Sequence, residues 1–193
     1  MKNINNRVTK YEINDIFLKR YSPRAMSGEK ISKEELMTLF EAARFAPSAS
    51  NIQPWRFIYV LRETSEFQKL FSLLVQFNQD WCKNASALIV TISNKNSYDG
   101  KPSVTHSFDT GSAWENFALQ ASEMNLIAHG MAGFDYNLAK EKLEIPDDYS
   151  VEMMIAVGHH GKIEDLPEPL REREATSQRK KLEEIVFEGK FSA

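Results

Sequence analysis

The sequence predicts one α+β unit, and three observations carry that expectation. A capped amphipathic helix is stopped by a proline and followed at once by an aromatic, β-branched strand over residues 55–61. The run Ala87-Leu88-Ile89-Val90-Thr91-Ile92 is short and nearly all apolar, as a strand buried on both faces must be. A long helical stripe over residues 107–124 precedes a last strand over residues 151–157. At 193 residues the chain is long enough for one well-filled core and short for two, so residues 1–193 are expected to form a single domain.

Taken in order, Ile13, Ile16 and Phe17 mark a short amphipathic helix. Ser32 with Glu35 three residues on is a capping box, and Leu36, Leu39, Phe40 and Ala43 form the apolar stripe behind it. That helix cannot run through Pro47, which lacks an amide proton and whose ring blocks the previous turn. Phe67, Leu70, Phe71 and Leu74 predict a helix over about residues 65–76, and the polar stretch 93–103 reads as a loop. In the long helix, Trp114, Phe117, Ala118 and Ala121 share a stripe whose small residues would admit a second helix closely. Residues 162–193 read as an extended arm. Pro167 and Pro169, a charged stretch, then Leu182, Ile185, Val186 and Phe187 cannot form a core alone, and burial on the body or on a partner subunit is expected.

Composition excludes several classes. With 42% hydrophobic residues, 26% charged and a net charge of −3, neither disorder nor a nucleic-acid partner is indicated. The single cysteine, Cys82, rules out an internal disulfide and favours a reducing compartment. The N-terminus lacks an apolar leader, and no apolar run nears the roughly 20 residues needed to cross a bilayer. A cytoplasmic protein without a membrane partner is expected.

Two segments carry chemistry. Between Pro47 and Pro54 stand Ser48, Ser50, Asn51 and Gln53, a rigid loop rich in hydroxyl and amide groups; the bland alternative is a connector that satisfies helix and strand ends. Arg20-Tyr21-Ser22-Pro23-Arg24 offers two guanidinium forks and a hydroxyl, which suits a phosphate; alone it would equally be a solvated basic turn. No Gly-x-Gly-x-x-Gly follows a strand, so a dinucleotide-binding fold has no support. His159-His160 point to opposite sides of a strand with no convincing ligand set, and no metal is expected. Cys82 has no visible activating group, His129 stands as a lone histidine, and Trp55 and Trp114 read as core. Residues 168–174, alternating in sign, read as a solvated face.

Arg-x-Ser-x-Arg near the N-terminus, a capped helix ending in Pro-Ser-x-x-Asn-x-Gln-Pro-Trp, and Val157-Gly158-His159-His160 after a strand resemble the FMN-dependent nitroreductase family. The resemblance covers nearly the whole chain, with Asp109-x-Gly111 opening the central helix, Gly133-Phe134-Asp135 after it, and Arg179 ahead of a C-terminal apolar run. It implies a mixed central sheet flanked by helices and an intertwined homodimer built around the central helix. It also implies an arm, residues 162–193, on the partner subunit, and one FMN at each of two interface sites.

The implied activity is NAD(P)H oxidation, with NADH or NADPH as reductant and nitro compounds, quinones or similar small molecules as electron acceptors. Reductant and acceptor use one open flavin face in turn, a ping-pong scheme in which flavin N5 carries hydride and no side chain is catalytic. By this resemblance Arg20 and Ser22 bind the phosphate, with Arg179 as a second phosphate arginine, and Arg24 reaches the flavin pyrimidine. Pro47, Ser48 and Ser50 lie across the partner's flavin, supported by Asn51 and Gln53; Asn78 bonds the pyrimidine edge, and the Gly133 N–H sits near N5. Tyr21, Ala49, Met131 and Ala132 belong to the same cofactor-binding segments.

Two positions depart from the pattern. Ala132 stands where many relatives carry a glutamate, and Ser177 where a lysine precedes the tail arginine. Substrate range and redox potential are therefore expected to differ, with more of the phosphate binding resting on Arg20. The alternatives are a flavin-handling protein (an FMN carrier, sensor or flavin-degrading enzyme) and a structural dimer without cofactor; the presence of Arg20, Ser22 and Asn51 argues against the latter.

Overall fold

The computed structural model describes residues 2–192. A small N-terminal hairpin, β1 (Lys2–Ile4) and β2 (Arg7–Thr9), is joined to a single helical turn, α1 (Ile16–Lys19). Helix α2 (Lys33–Arg44) leads through the Pro47–Pro54 loop to β3 (Trp55–Leu61). Two short helices, α3 (Phe67–Phe71) and α4 (Gln76–Cys82), precede β4 (Ala87–Asn94). Helix α5 (His106–Glu123) is followed by β5 (Leu126–Met131), α6 (Tyr136–Lys142), β6 (Tyr149–His159) and α7 (Glu168–Arg171).

The α+β expectation holds. The central sheet runs β3-β4-β6-β5, and all three of its pairings are antiparallel, so within the described chain the sheet is not mixed. Side-chain alternation explains why β4 is apolar throughout. Leu88, Val90 and Ile92 enter a core with α3, α4 and the first part of the tail, whereas Ala87 and Ile89 face α2 and α5.

Helix α2 forms where its capping box predicts. The Ser32 side chain accepts from the Glu35 amide at 3.1 Å and Glu35 accepts from the Ser32 amide at 2.8 Å, so two end donors are satisfied reciprocally. Its buried residues Leu36, Leu39 and Ala43 share one cluster with Phe117, Ala118 and Ala121 of α5, and Asn116 Nδ2 donates to the Ala42 carbonyl at 3.2 Å. The small-residue stripe of α5 is thus filled by α2 of the same chain. It is not a surface kept for a second copy, contrary to the sequence expectation.

Other expectations also shift. The helix expected over residues 65–76 is only the five-residue α3, and α4 begins at Gln76, because the backbone between them is diverted: Val75 N donates to the Gly133 carbonyl at 3.1 Å and the Leu73 carbonyl accepts from Asp135 N at 2.9 Å. The first amphipathic helix is one turn, with Leu18 buried while Ile13 and Phe17 are exposed. Strand β5 escapes the sequence because Asn125, at φ 55°, ends α5 in the left-handed region with no glycine or proline to mark the turn. In the arm, Leu166 and Leu170 join the chain's own core, whereas Leu182, Ile185 and Val186 are exposed.

Candidate functional site

Arg20 leaves α1 with extended backbone (ψ 124°), which turns residues 20–25 across the start of β5. There a cavity of about 250 Å³ is lined by Arg7, Arg20, Arg24, Arg173 and Arg179, with Tyr21, Ser22, His129 and Ser177 between them. Five guanidinium groups and no carboxylate line it, although Arg20 Nε lies 3.8 Å from Glu115 Oε1 outside the lining. Arg20 Nη1 lies 3.4 Å from Ser22 Oγ, and Arg179 Nη1 donates to Ser177 Oγ at 2.9 Å. Burial, and then the neighbouring Arg179 and Arg20, push the Arg7 guanidinium below its ordinary value. The Arg24 Nε is buried without a hydrogen-bond partner. Crowded cations and an unmatched buried donor are what an anion would resolve, so these residues fit the phosphate of a flavin mononucleotide.

His129, on β5, closes the cavity from beneath. Its Nδ1 lies 2.9 Å from the Pro23 carbonyl, which can only accept, so Nδ1 carries the proton. Burial depresses this imidazole to about 4, with Arg24 adding to the depression and the Pro23 bond opposing it. His129 is therefore neutral near pH 7.

A second group lies beyond His129. The His129 ring packs on Trp81 with centroids 4.7 Å apart. Trp81 Nε1 donates to Asn78 Oδ1 at 3.2 Å, and Asn78 Nδ2 donates to the Gly133 carbonyl at 2.9 Å. A Cβ at Gly133 would sit 2.6 Å from that Nδ2 and 3.1 Å from Val75 Cγ2, so only glycine allows the approach. Asn78 thus spends one donor and one acceptor inside the protein and keeps one of each. Ala132 beside it is exposed, and Met131 is buried.

The third group is the loop between the prolines. Ser50, Asn51 and Gln53 all adopt left-handed backbone, at φ 49°, 56° and 52°. Non-glycine residues there cost about 1–3 kcal/mol each and are kept where surrounding contacts impose them. Those contacts are visible. Ser48 Oγ accepts from Gln53 N at 3.0 Å, Tyr98 Oη donates to the Asn51 carbonyl at 2.6 Å, and the buried carboxylate of Asp109 accepts from Ala49 N at 3.1 Å. The Ser48 hydroxyl is thus used within the loop, while Pro47, Ala49, Ser50 and Asn51 are exposed. None of these residues lines the arginine cavity. Within one chain the structure joins Arg20, Tyr21, Ser22, Arg24 and Arg179, links them through His129 to Asn78 and Gly133, and leaves the loop apart.

Three residues of this region were not legible as such. Arg7 lies in a polar N-terminal stretch with no motif, yet it is 5% exposed and donates to the carbonyls of Leu18, Arg20 and Ser177. Glu174 falls in the alternating stretch expected to be solvated but is buried, and its carboxylate accepts from the amides of Arg24 and Ala25. Only the alternation of charge was visible in sequence, and it misled. His129, a lone histidine, proves to be the bridge between the two groups.

Elsewhere, Cys82 is fully buried and its thiol is pushed up by burial, which leaves it unreactive. Trp55 and Trp114 pack in the core cluster. Among the described residues no cluster of metal-ligating side chains occurs and no helix is long and apolar enough to cross a membrane.

A family model described as the Nitroreductase family matches residues 17–159. A crystal structure of an oxidoreductase containing FMN is 45% identical, with a TM-score of 0.96, over 100% of this chain and 99% of that one. Protein DrgA of Synechocystis sp. is 28% identical over 168 residues, 72% of this chain and 78% of that protein. An oxygen-insensitive NADPH nitroreductase of Helicobacter pylori is 31% identical over 132 residues, which are 67% of this chain and 57% of that protein.

Proposed function

Because the chain belongs to the nitroreductase family, we propose that it is an FMN-dependent oxidoreductase that uses NADH or NADPH to reduce nitro compounds, quinones or similar small electrophiles. The cavity of five arginines with the unpartnered Arg24 Nε carries this reading. When bound, FMN accepts hydride from a nicotinamide and returns the electrons to a second substrate.

The chain's residues supply binding and orientation. Arg20, Ser22 and Arg179 would hold the phosphate, and Arg24 would place a cation beside the flavin ring, favouring its reduced, anionic form. Asn78, with one donor and one acceptor uncommitted, would meet the ring's polar edge, and the Gly133 amide would stand at the redox edge. Met131 and Ala132 belong to that same wall. Ala132 offers no side-chain hydrogen bond, which leaves room for acceptors of varied shape.

The loop from Pro47 to Gln53 would serve the flavin of a second subunit, since its own chain does not bring it to the cavity. Support for a homodimer comes from the large apolar side chains exposed around that loop, Phe45, Tyr98, Val104 and Phe108, and from those of the tail, Leu182, Val186 and Phe191. The test is kinetic. Initial rates at several acceptor concentrations should give parallel lines, as expected when reductant and acceptor exclude each other; intersecting lines would contradict the shared site, and no reduction by either nicotinamide would favour a flavin-handling role.

A further inference from the structure

The arginine cavity takes four of its lining residues from the Arg20–Arg24 turn and four from the tail, Arg173, Ala175, Ser177 and Arg179, with Arg7 and His129 completing it. Arg24 Nη1 donates to the Arg173 carbonyl at 3.3 Å, and two further side chains stitch turn and tail together, both outside residues 17–159, the stretch matched by the family model. Arg7 donates from Nε to the Ser177 carbonyl at 3.1 Å and from Nη1 to the Arg20 carbonyl at 2.5 Å. Glu174, 7% exposed, accepts from Arg24 N at 2.8 and 2.9 Å and from Ala25 N at 2.7 Å. None of the ion pairs found among the described residues involves Glu174. A carboxylate is costly to bury, and here main-chain amides compensate it. This arrangement leaves the Arg24 Nε for another anion, its Nη1 being bonded to the Arg173 carbonyl, while setting a negative charge against five crowded cations that would otherwise drive the tail away.

We propose that Glu174 is a positioning residue for the flavin phosphate: its carboxylate latches the tail to the Arg20–Arg24 turn and so completes the anion pocket. The latch rests on reading that pocket as the phosphate site. It acts through the backbone of Arg24 and Ala25 and touches no reacting atom. Arg7 makes the second stitch, from the N-terminal hairpin.

Riboflavin, which lacks the phosphate, separates the latch from general damage. Dissociation constants for FMN and riboflavin, read by flavin fluorescence on the full chain stripped of flavin, are compared for the parent and Glu174→Gln. Loss of the latch should weaken FMN about ten-fold or more and leave riboflavin nearly unchanged. In the flavin-free variant, trypsin should cut after Arg173 and Arg179 faster than in the parent, a readout independent of activity. An unchanged ratio of FMN to riboflavin affinity overturns the latch alone. A parent that binds FMN no more tightly than riboflavin overturns the pocket assignment and the latch with it. If Glu174→Gln does not fold, Glu174→Asp, which keeps the charge but withdraws it by one methylene, is judged by the same ratio.

Discussion

Asn78 Nδ2 donates to the Gly133 carbonyl at 2.9 Å across a gap too narrow for a methyl group on residue 133. The contact joins α4 to the segment after β5, and it explains why the chain between α3 and α4 bonds to the Gly133 segment instead of continuing as helix. Gly133→Ala should force Asn78 aside and destabilise the fold by about 1–3 kcal/mol. Thermal melting reads this directly, and an unchanged midpoint would mean the contact is slack.

His129 gives the fold a pH dependence with a definite sign. Its folded value is about 4 against an ordinary 6.5. The unfolded chain therefore binds more protons between those limits, and stability falls as pH drops from about 6.5 to about 4, then levels off. The loss attributable to this one group is on the order of 3 kcal/mol. Denaturant unfolding at pH 7 and pH 4.5 should show His129→Gln losing less stability than the parent over that interval; equal losses would contradict the buried, neutral histidine.

Arg20→Ala should lower FMN affinity about ten- to hundred-fold, since each charge-assisted contact to a phosphate is worth roughly 1.5–3 kcal/mol. Equilibrium binding followed by flavin fluorescence checks it. Undiminished affinity would remove Arg20 from the phosphate site.

Removing residues from Lys180 onward deletes the exposed Leu182, Ile185 and Val186 while sparing Leu166 and Leu170, which belong to the chain's own core. Such a protein should stay folded yet dimerise more weakly and retain less flavin, as sedimentation and absorbance would show. Full dimerisation after truncation would place the subunit contact elsewhere.

How much of this was legible follows local chemistry. Helix α2, its capping box and the stop before Pro47 are written in adjacent residues, as are β3 and the double-sided burial of β4. The Arg20–Arg24 cluster stands out as a candidate anion site because its donors are close in sequence, and the structure brings them to one cavity. Arg7 and Glu174 escape for the opposite reason: their partners lie more than ten residues away for Arg7 and about 150 for Glu174, and each bonds to main chain, which carries no residue-specific signal. Strand β5 and the diversion at Leu73–Val75 depend on long-range pairing that a local period does not contain. The stripe on α5 was visible, but its occupant, α2, was a matter of tertiary packing.

If the arginine cavity holds FMN that a nicotinamide reduces, the colour of the flavin reports both. Absorbance of the purified chain is recorded before and after adding NADH or NADPH without air. The expected result is a yellow protein with one FMN per chain whose flavin bands bleach on reduction and return when a quinone or nitro compound is added. A colourless protein that takes up no added FMN would contradict it.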